Sequence, residues 1–540
     1  MLSAQLQVPG MPMEGPLVSG DAGSIYALPF LHPMEEAAFK EELRQEEAMS
    51  KVGRFAVERF ITISPENGGV WTHRGDMLIW RAHLRSPGAL SLGLCFERFR
   101  LEPGVKLMIY TPSMSHVKGA FSEMNNKSTG IFAVGHLPGE EVVLELQIPG
   151  NLDSYGELEL GSLSHALLPV ALKGTADERY GLSGDCEIDI ACQEGQLWQG
   201  EKLSVVRVYT STQYCTGVLI NNTSSDGDPL LLTAQHCIDR DYYASRSVFD
   251  FAYESSSCFG GDTPIDWSLS GSELLAVGDS IDFSLVRLSV VPPDTFGARY
   301  AGWDLGEPGK GTTVIHHPEG DVKKISFDAD TPSVPDEIPS YPDLLAHSFW
   351  WVKQWDEGST EPGSSGSPLF DNNHRVIGLL SFGKARCGDS IGYNPQTDRV
   401  EYSLTRNIDA YFTRLAVAWD HDPDPAGSLL QWLDPLSTGK RSMVFYDPGG
   451  VLPEPENDSC LLNIWPNPSP GEIYLQAGAL LRGECSYRII DFGGRQAGAG
   501  EMVLDKAPVK LDVAYLRGGL YLLEVKNVEA REVLRFMIIQ

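Results

Sequence analysis

Three short segments carry residue types that can act together on a carbonyl carbon: Thr233-Ala234-Gln235-His236-Cys237, Asp282-Phe283-Ser284-Leu285 and Gly363-Ser364-Ser365-Gly366-Ser367-Pro368. A serine hydroxyl is a poor nucleophile at neutral pH, so a base must take its proton during attack and later pass it to the leaving amine. His236 is the candidate base and Ser365 the candidate nucleophile. Asp282 would hold the imidazole in one tautomer and stabilise the cation that forms. Glycines flank Ser365 so that the turn can bring its backbone close to a substrate carbonyl. The N–H groups of Gly363 and Ser365 are then the expected oxyanion hole, each donor contributing about 3 kcal/mol in a site of this kind.

Each segment alone is ordinary. A Gly-Ser-Ser-Gly run also makes a flexible linker, a histidine beside a cysteine is often structural, and Asp282 could begin a surface strand. Their joint order favours catalysis, with the apolar run Leu230-Leu231-Leu232 leading to His236 and strand-like Ser284-Leu285-Val286 following Asp282.

From about Gly181 to Pro448 the chain resembles the lysyl endopeptidase family, secreted bacterial serine proteases with a trypsin-like double β-barrel. The matching text is Ser183-Gly184-Asp185-Cys186-Glu187-Ile188-Asp189, Cys215-Thr216-Gly217-Val218-Leu219-Ile220-Asn221-Asn222-Thr223, the block around His236, Asp282-Phe283-Ser284-Leu285, His316-His317-Pro318-Glu319-Gly320-Asp321 and Glu361-Pro362 leading into Gly363. Gln235 departs from the small residue or second histidine common in trypsin-like enzymes. The resemblance implies three disulfides, Cys186 with Cys387, Cys192 with Cys258, and Cys215 with Cys237. The last would clamp the loop that bears His236. Such bonds place the chain in an oxidising compartment. Of the nine cysteines, Cys460 and Cys485 could pair in the tail, leaving Cys95 as an odd, inert thiol.

Length, charge and spacing frame the rest. At 540 residues the chain calls for about three domains. A net charge of −31 argues against nucleic acid, which needs a basic stripe, and suits a self-repelling secreted protein. No apolar run is long enough for a transmembrane segment. Cys-x-x-Cys pairs and a His-Glu-x-x-His motif are absent, so neither metal nor cofactor is expected. The start, Met1-Leu2-Ser3-Ala4-Gln5, lacks a full signal peptide, which would then be removed or only partly included.

An all-β chain is expected, with three domains. Residues 1–180 read as a pro-region. It carries a surface helix around Glu35–Leu43 and, over about 55–168, a β-sandwich whose strands include Met77–Trp80, Leu90–Leu94, Val105–Tyr110 and Val142–Leu146. Ser86-Pro87-Gly88-Ala89-Leu90 resembles the β-rich pro-region of lysyl endopeptidase precursors, implying a role in folding and latency. A permanent carbohydrate- or protein-binding domain is the competing reading. Residues 181–448 are the protease, 449–457 a linker, and 458–540 a small β-sandwich. The tail runs Trp465-Pro466-Asn467-Pro468, Ile489-Ile490-Asp491-Phe492-Gly493-Gly494 and Leu516-Arg517-Gly518-Gly519-Leu520-Tyr521, and resembles the type IX secretion C-terminal sorting domain. That resemblance implies passage through the type IX machinery to the outer surface of a Gram-negative cell or beyond. The junction lies near Arg179-Tyr180-Gly181. No lysine precedes Gly181, so cleavage after Lys173 or Arg179 by another enzyme is the expected maturation.

Selecting lysine requires a carboxylate at the base of an apolar pocket, because an unpaired ammonium is too costly to bury. By family position that carboxylate is Asp409, in Asp409-Ala410-Tyr411-Phe412, with Asp398 and Asp389 as alternatives. Ser381-Phe382-Gly383 is the strand expected to pair with substrate backbone, so Ser381 and Gly383 join the binding set. A histidine common at the position of Ser381 in the family is missing. The favoured function is hydrolysis of proteins and peptides on the carboxyl side of lysine. The rivals are an endopeptidase of arginine or broader preference, and a silent surface adhesin on the same fold.

Overall fold

Short apolar strands separated by turns build the N-terminal third into two facing sheets, antiparallel apart from the short parallel pairing of Tyr26–Ala27 with Met77–Arg85. One runs in the order Tyr26–Ala27, Met77–Arg85, Glu141–Pro149, Lys106–Tyr110 and Val117–Phe121, with Val70–Arg74 also pairing Met77–Arg85. The other runs Ala56–Ile63, Gly156–Ala166, Ser91–Leu101 and Phe132–Pro138. Their inner faces share one core that includes Trp80, Leu94, Leu107, Leu144 and Leu160. Phe132 meets the rings of Phe96, Phe99 and Phe121 within it. The acidic surface helix extends further than the sequence suggests, over Pro33–Met49. The computed structural model describes residues 10–13, 25–49, 53–170, 182–258, 267–338, 344–394, 399–403, 407–448 and most of 462–538.

The middle segment builds two curled sheets, the trypsin-like arrangement expected. The first runs Trp267–Ser270, Val248–Phe251, Val205–Tyr209, Gln213–Leu219, Leu230–Thr233, Phe283–Leu288 and Ser272–Gly278. It curls around Val208, Leu231, Phe249 and Val286. The second runs Ile188–Asp189, Lys324–Asp328, Thr312–His316, Pro368–Asp371, Val376–Gly383, Trp303–Asp304 and Ser442–Met443. Ile408–Arg414 pairs with Val376–Gly383 on one side and Phe349–Gln354 on the other. Trp350 and Trp355 lie in the core of this second sheet with Val314, Leu369 and Phe412. A further core, with Phe283, Trp303 and Leu379, joins the two sheets.

The tail forms a three-stranded and a four-stranded sheet over a small shared core. Cys485 in it is a buried free thiol that donates to Leu481 O. The tail cross-link considered from sequence is therefore not formed, and Cys460 lies outside the described residues. The junction at 179–181, Lys173 and the linker at 449–457 also lie outside them. No helix among the described residues is long and apolar enough to cross a membrane.

Candidate active site

The buried strand Leu230–Thr233 ends at a tight loop, and a disulfide fixes that loop's next residues. Cys215 and Cys237 are bonded, as are Cys186 with Cys387 and Cys192 with Cys258, so all three expected pairs are present. Gln213 strengthens the clamp by donating from Nε2 to His236 O at 2.8 Å.

His236 and Asp282 meet at one end of the first sheet, where Leu230–Thr233, leading to His236, pairs with Phe283–Leu288, which follows Asp282. The Nδ1 atom lies 3.0 and 2.9 Å from the two carboxylate oxygens, and the backbone N–H of His236 also donates to Oδ1 at 3.0 Å. Asp282 is only 2% exposed. It sits at φ 57°, a left-handed conformation that aspartate tolerates better than most residues and that carries strain. Its second oxygen also accepts from the Ser381 hydroxyl. A carboxylate taken out of water needs such partners to remain charged. The expectation that Ser381 serves substrate backbone therefore needs adding to: its side chain is committed to Asp282. Thr413 Oγ1 donates to Ile281 O at 2.5 Å and holds the preceding peptide.

Ser365 is presented by a turn packed against the His236 loop. Gly366 has φ 82°, and a Cβ there would lie 2.3 Å from both Thr216 O and Thr233 Oγ1 and 2.8 Å from Ala234 N, so only glycine fits. Thr216 is the main support that the sequence did not single out. Its N–H donates to Ser365 O at 2.8 Å and its hydroxyl to Gly363 O at 3.0 Å. Gly363 has φ 92°, and a Cβ on it would strike the Tyr214 ring and His317 O. The His316–Asp321 block backs this turn: His316 Nδ1 lies 2.7 Å from Ser364 Oγ, and His317 N donates to Thr216 Oγ1 at 3.0 Å. Glu361, two residues before Gly363, has its carboxyl pushed up to about 8 by burial and then by Glu187. Among the described residues His236 Nε2 is buried without a hydrogen-bond partner. Such contacts to a nucleophile are often long before substrate is bound.

The other candidates spread along one wall. Asp409 is half-buried at φ 63°, and its Oδ1 accepts from Trp351 Nε1 at 2.9 Å. Trp351 stacks on Tyr411, which stacks on Phe382, giving an apolar face beside that carboxylate. Gly383 lies against Asp409, since a Cβ on it would be 2.6 Å from Asp409 O. Asp389 is exposed, and Asp398 lies outside the described residues. Two groups of metal-ligand type occur among the described residues, Cys215 with His236 and Cys237, and Glu187 with Glu361 and Cys387. Every sulfur in them is consumed in a disulfide.

Residues 180–399 match the family described as lysyl endopeptidase, C-terminal domain, and residues 463–540 match the secretion system C-terminal sorting domain. Lysyl endopeptidase from Pseudomonas aeruginosa is 29% identical over 272 residues, 47% of this chain and 57% of that protein. Secreted RxLR effector protein 73 from Plasmopara viticola is 25% identical over 294 residues, 47% of this chain and 65% of that protein. The chain thus spans less than two thirds of either relative. Among solved structures, kallikrein-related peptidase 10 aligns with a TM-score of 0.27 at 15% identity, covering 44% of this chain and 97% of that one. A Glu endopeptidase in complex with MPD aligns at 0.25 and 16%, covering 39% and 85%. Alignments this loose add no weight to the chemistry.

Proposed function

From a chain that carries a lysyl endopeptidase C-terminal domain followed by a type IX secretion sorting domain, we propose a serine endopeptidase that cuts proteins and peptides on the carboxyl side of lysine. The sorting tail makes it a secreted or outer-surface protein, with the type IX machinery as its export partner. Residues 1–180 are its pro-region, 181–448 the protease and 449–457 the link to the tail.

The observation that carries this reading is the buried Asp282 carboxylate bonded to His236 Nδ1. An imidazole so oriented leaves Nε2 as the basic atom, and on proton uptake the adjacent carboxylate stabilises the cation. Ser365 Oγ attacks the scissile carbonyl while Nε2 takes its proton. The N–H groups of Gly363 and Ser365 stabilise the oxyanion. The proton goes to the leaving amine, and water, deprotonated by the same imidazole, hydrolyses the acyl-enzyme. Lysine preference rests on Asp409, whose carboxylate beside the Trp351, Tyr411 and Phe382 rings would pair an ammonium at the end of an apolar wall. Arginine or broader preference follows if that carboxylate does not reach the substrate side chain.

The test is a mass-spectrometric cleavage map of a denatured protein mixture. Processed enzyme is expected to cut after lysine, Ser365→Ala to lose about a millionfold in kcat, and Asp409→Asn to relax the preference. Cuts after lysine that survive Asp409→Asn would remove that residue from the pocket. A mature protein that neither cuts nor reacts with an active-serine phosphonylating probe would leave the silent adhesin.

A further inference from the structure

The residue before the proposed nucleophile has an imidazole and a carboxylate of its own. Ser364 Oγ lies 2.7 Å from His316 Nδ1, and on the far side of that ring Glu187 Oε2 lies 3.5 Å from Nε2. The side chains of His316 and Glu187 are fully buried, and Ser364 is buried with them. Three separate stretches bring these groups together. His316 ends the strand Thr312–His316, Ser364 lies in the nucleophile turn, and Glu187 sits between the disulfide-bonded Cys186 and the strand Ile188–Asp189 of the same sheet.

The neighbouring bonds decide where the protons sit. Ser326 Oγ donates its one proton to Ser359 O at 2.7 Å and accepts from Ser359 N at 3.0 Å, so toward His316 Nε2, 3.3 Å away, it can only accept. Nε2 therefore carries a hydrogen, directed between Ser326 Oγ and Glu187. In the neutral ring Nδ1 is then the acceptor, and the Ser364 hydroxyl donates to it. Ser364 Oγ in turn accepts from Glu361 N at 3.1 Å, which closes the turn that contains Gly363. Glu187 is out of place on packing grounds. Both its oxygens are buried without a hydrogen-bond partner among the described residues, and one oxygen of Glu361 lies within 4.8 Å of one of them. A neutral side chain would be more stable there.

We propose that Glu187, His316 and Ser364 are positioning residues for the oxyanion hole: the Glu187 charge polarises the imidazole, strengthens the bond from the Ser364 hydroxyl to Nδ1, and so fixes the Glu361–Ser364 turn with the Gly363 N–H aimed at the substrate oxygen. This rests on the protease reading above. The groups stand in the order given to Asp282, His236 and Ser365, yet no proton leaves the buried Ser364. Donors already aimed where charge develops need no rearrangement as it forms, so the arrangement acts on the transition state rather than on substrate binding.

The experiment compares the protein as secreted with its Glu187→Gln, Ser364→Ala and doubly substituted forms by active-serine phosphonate labelling, peptidyl-lysine anilide kinetics and thermal unfolding. Glu187→Gln keeps the shape and an acceptor oxygen but removes the charge that faces Glu361. It is expected to lower kcat about tenfold with KM unmoved, while the melting temperature stays or rises. Ser364→Ala should lower kcat at least as far, and adding Glu187→Gln to it should lower it no further, since both act through one hydroxyl. Wild-type kcat in Glu187→Gln, a melting temperature that falls along with kcat, or losses that multiply in the double form each overturn the inference. Should Ser364→Ala not fold, Glu187→Gln alone decides by its kcat and melting temperature. A wild-type protein that does not react with the phosphonate strikes the protease reading instead.

Discussion

The N-terminal sandwich and the protease sheets hide equally apolar interiors, yet they are held in different ways. The sandwich relies mainly on packed rings and aliphatic chains, with one buried carboxylate, Glu145, accepting from Tyr110 at 2.8 Å and facing Arg81 at 3.7 Å, and its described cysteine, Cys95, is a buried thiol pushed up to about 12 by burial. The protease adds three disulfides and buried ionic contacts such as Lys324 with Asp189 at 2.6 Å and Arg207 with Asp250 at 2.7 Å. Apolar packing fixes a shape, but it does not fix a carboxylate and an imidazole in a dry interior to within hydrogen-bond tolerance. A site of that kind needs directional and covalent constraints.

The strongest way to break this contrast is to remove the longest cross-link. Replacing Cys186 and Cys387 by alanine opens a loop of sequence separation 201, which should lower protease stability by about 5 kcal/mol in the loop-entropy description. Calorimetry of the whole chain should then show the protease transition falling while the sandwich transition stays. The reverse experiment is Phe132→Ala, which empties the middle of the aromatic cluster and should cost the sandwich about 4 kcal/mol. Peptidyl-lysine hydrolysis by the released protease should be unchanged.

Within the protease, Ser381→Ala removes one of the bonds that keep Asp282 in place. A hydrogen bond to a buried charge is worth about 2 kcal/mol, so kcat should fall roughly thirtyfold with KM unmoved. The smallest effect concerns the junction between the two regions. Lys127 of the sandwich donates to Ser270 Oγ of the protease at 2.7 Å, and burial lowers its ammonium from 10.5 to about 7, Cys95 opposing weakly. The separated sandwich therefore binds a proton that the joined one does not between pH 7 and 10, and the junction strengthens as pH rises through that window. After the connecting segment is nicked, retention of the sandwich on immobilised protease should grow by up to about tenfold per pH unit from 7 to 9. Lys127→Met should flatten the dependence.

Much of the geometry was legible in the residues. The bonding of His236 to Asp282 follows the order of the motifs, and the strands around Met77, Val105 and Val142 follow their alternation and turn signals. The disulfide partners came from resemblance rather than from spacing. What stayed hidden lies in tertiary placement. Ser381 carries no local sign that its hydroxyl will meet a carboxylate 99 positions away, and Thr216 reads as an ordinary strand residue. Gly53–Arg54, which pairs with Gln213–Leu219, is too short to have a period, and its edge pairing depends on where the sandwich docks. The half-buried place of Lys127 at the junction is equally invisible, since a lysine in a polar stretch normally lies in water.

The Cys186–Cys387 bond also bears on survival among other proteases. His236, Asp282 and Ser365 all fall between the two cysteines in sequence, so a single nick in an intervening surface loop leaves both fragments covalently attached. On the function proposed above, the protein can thus be clipped once and still keep the three groups of its proposed triad on one molecule.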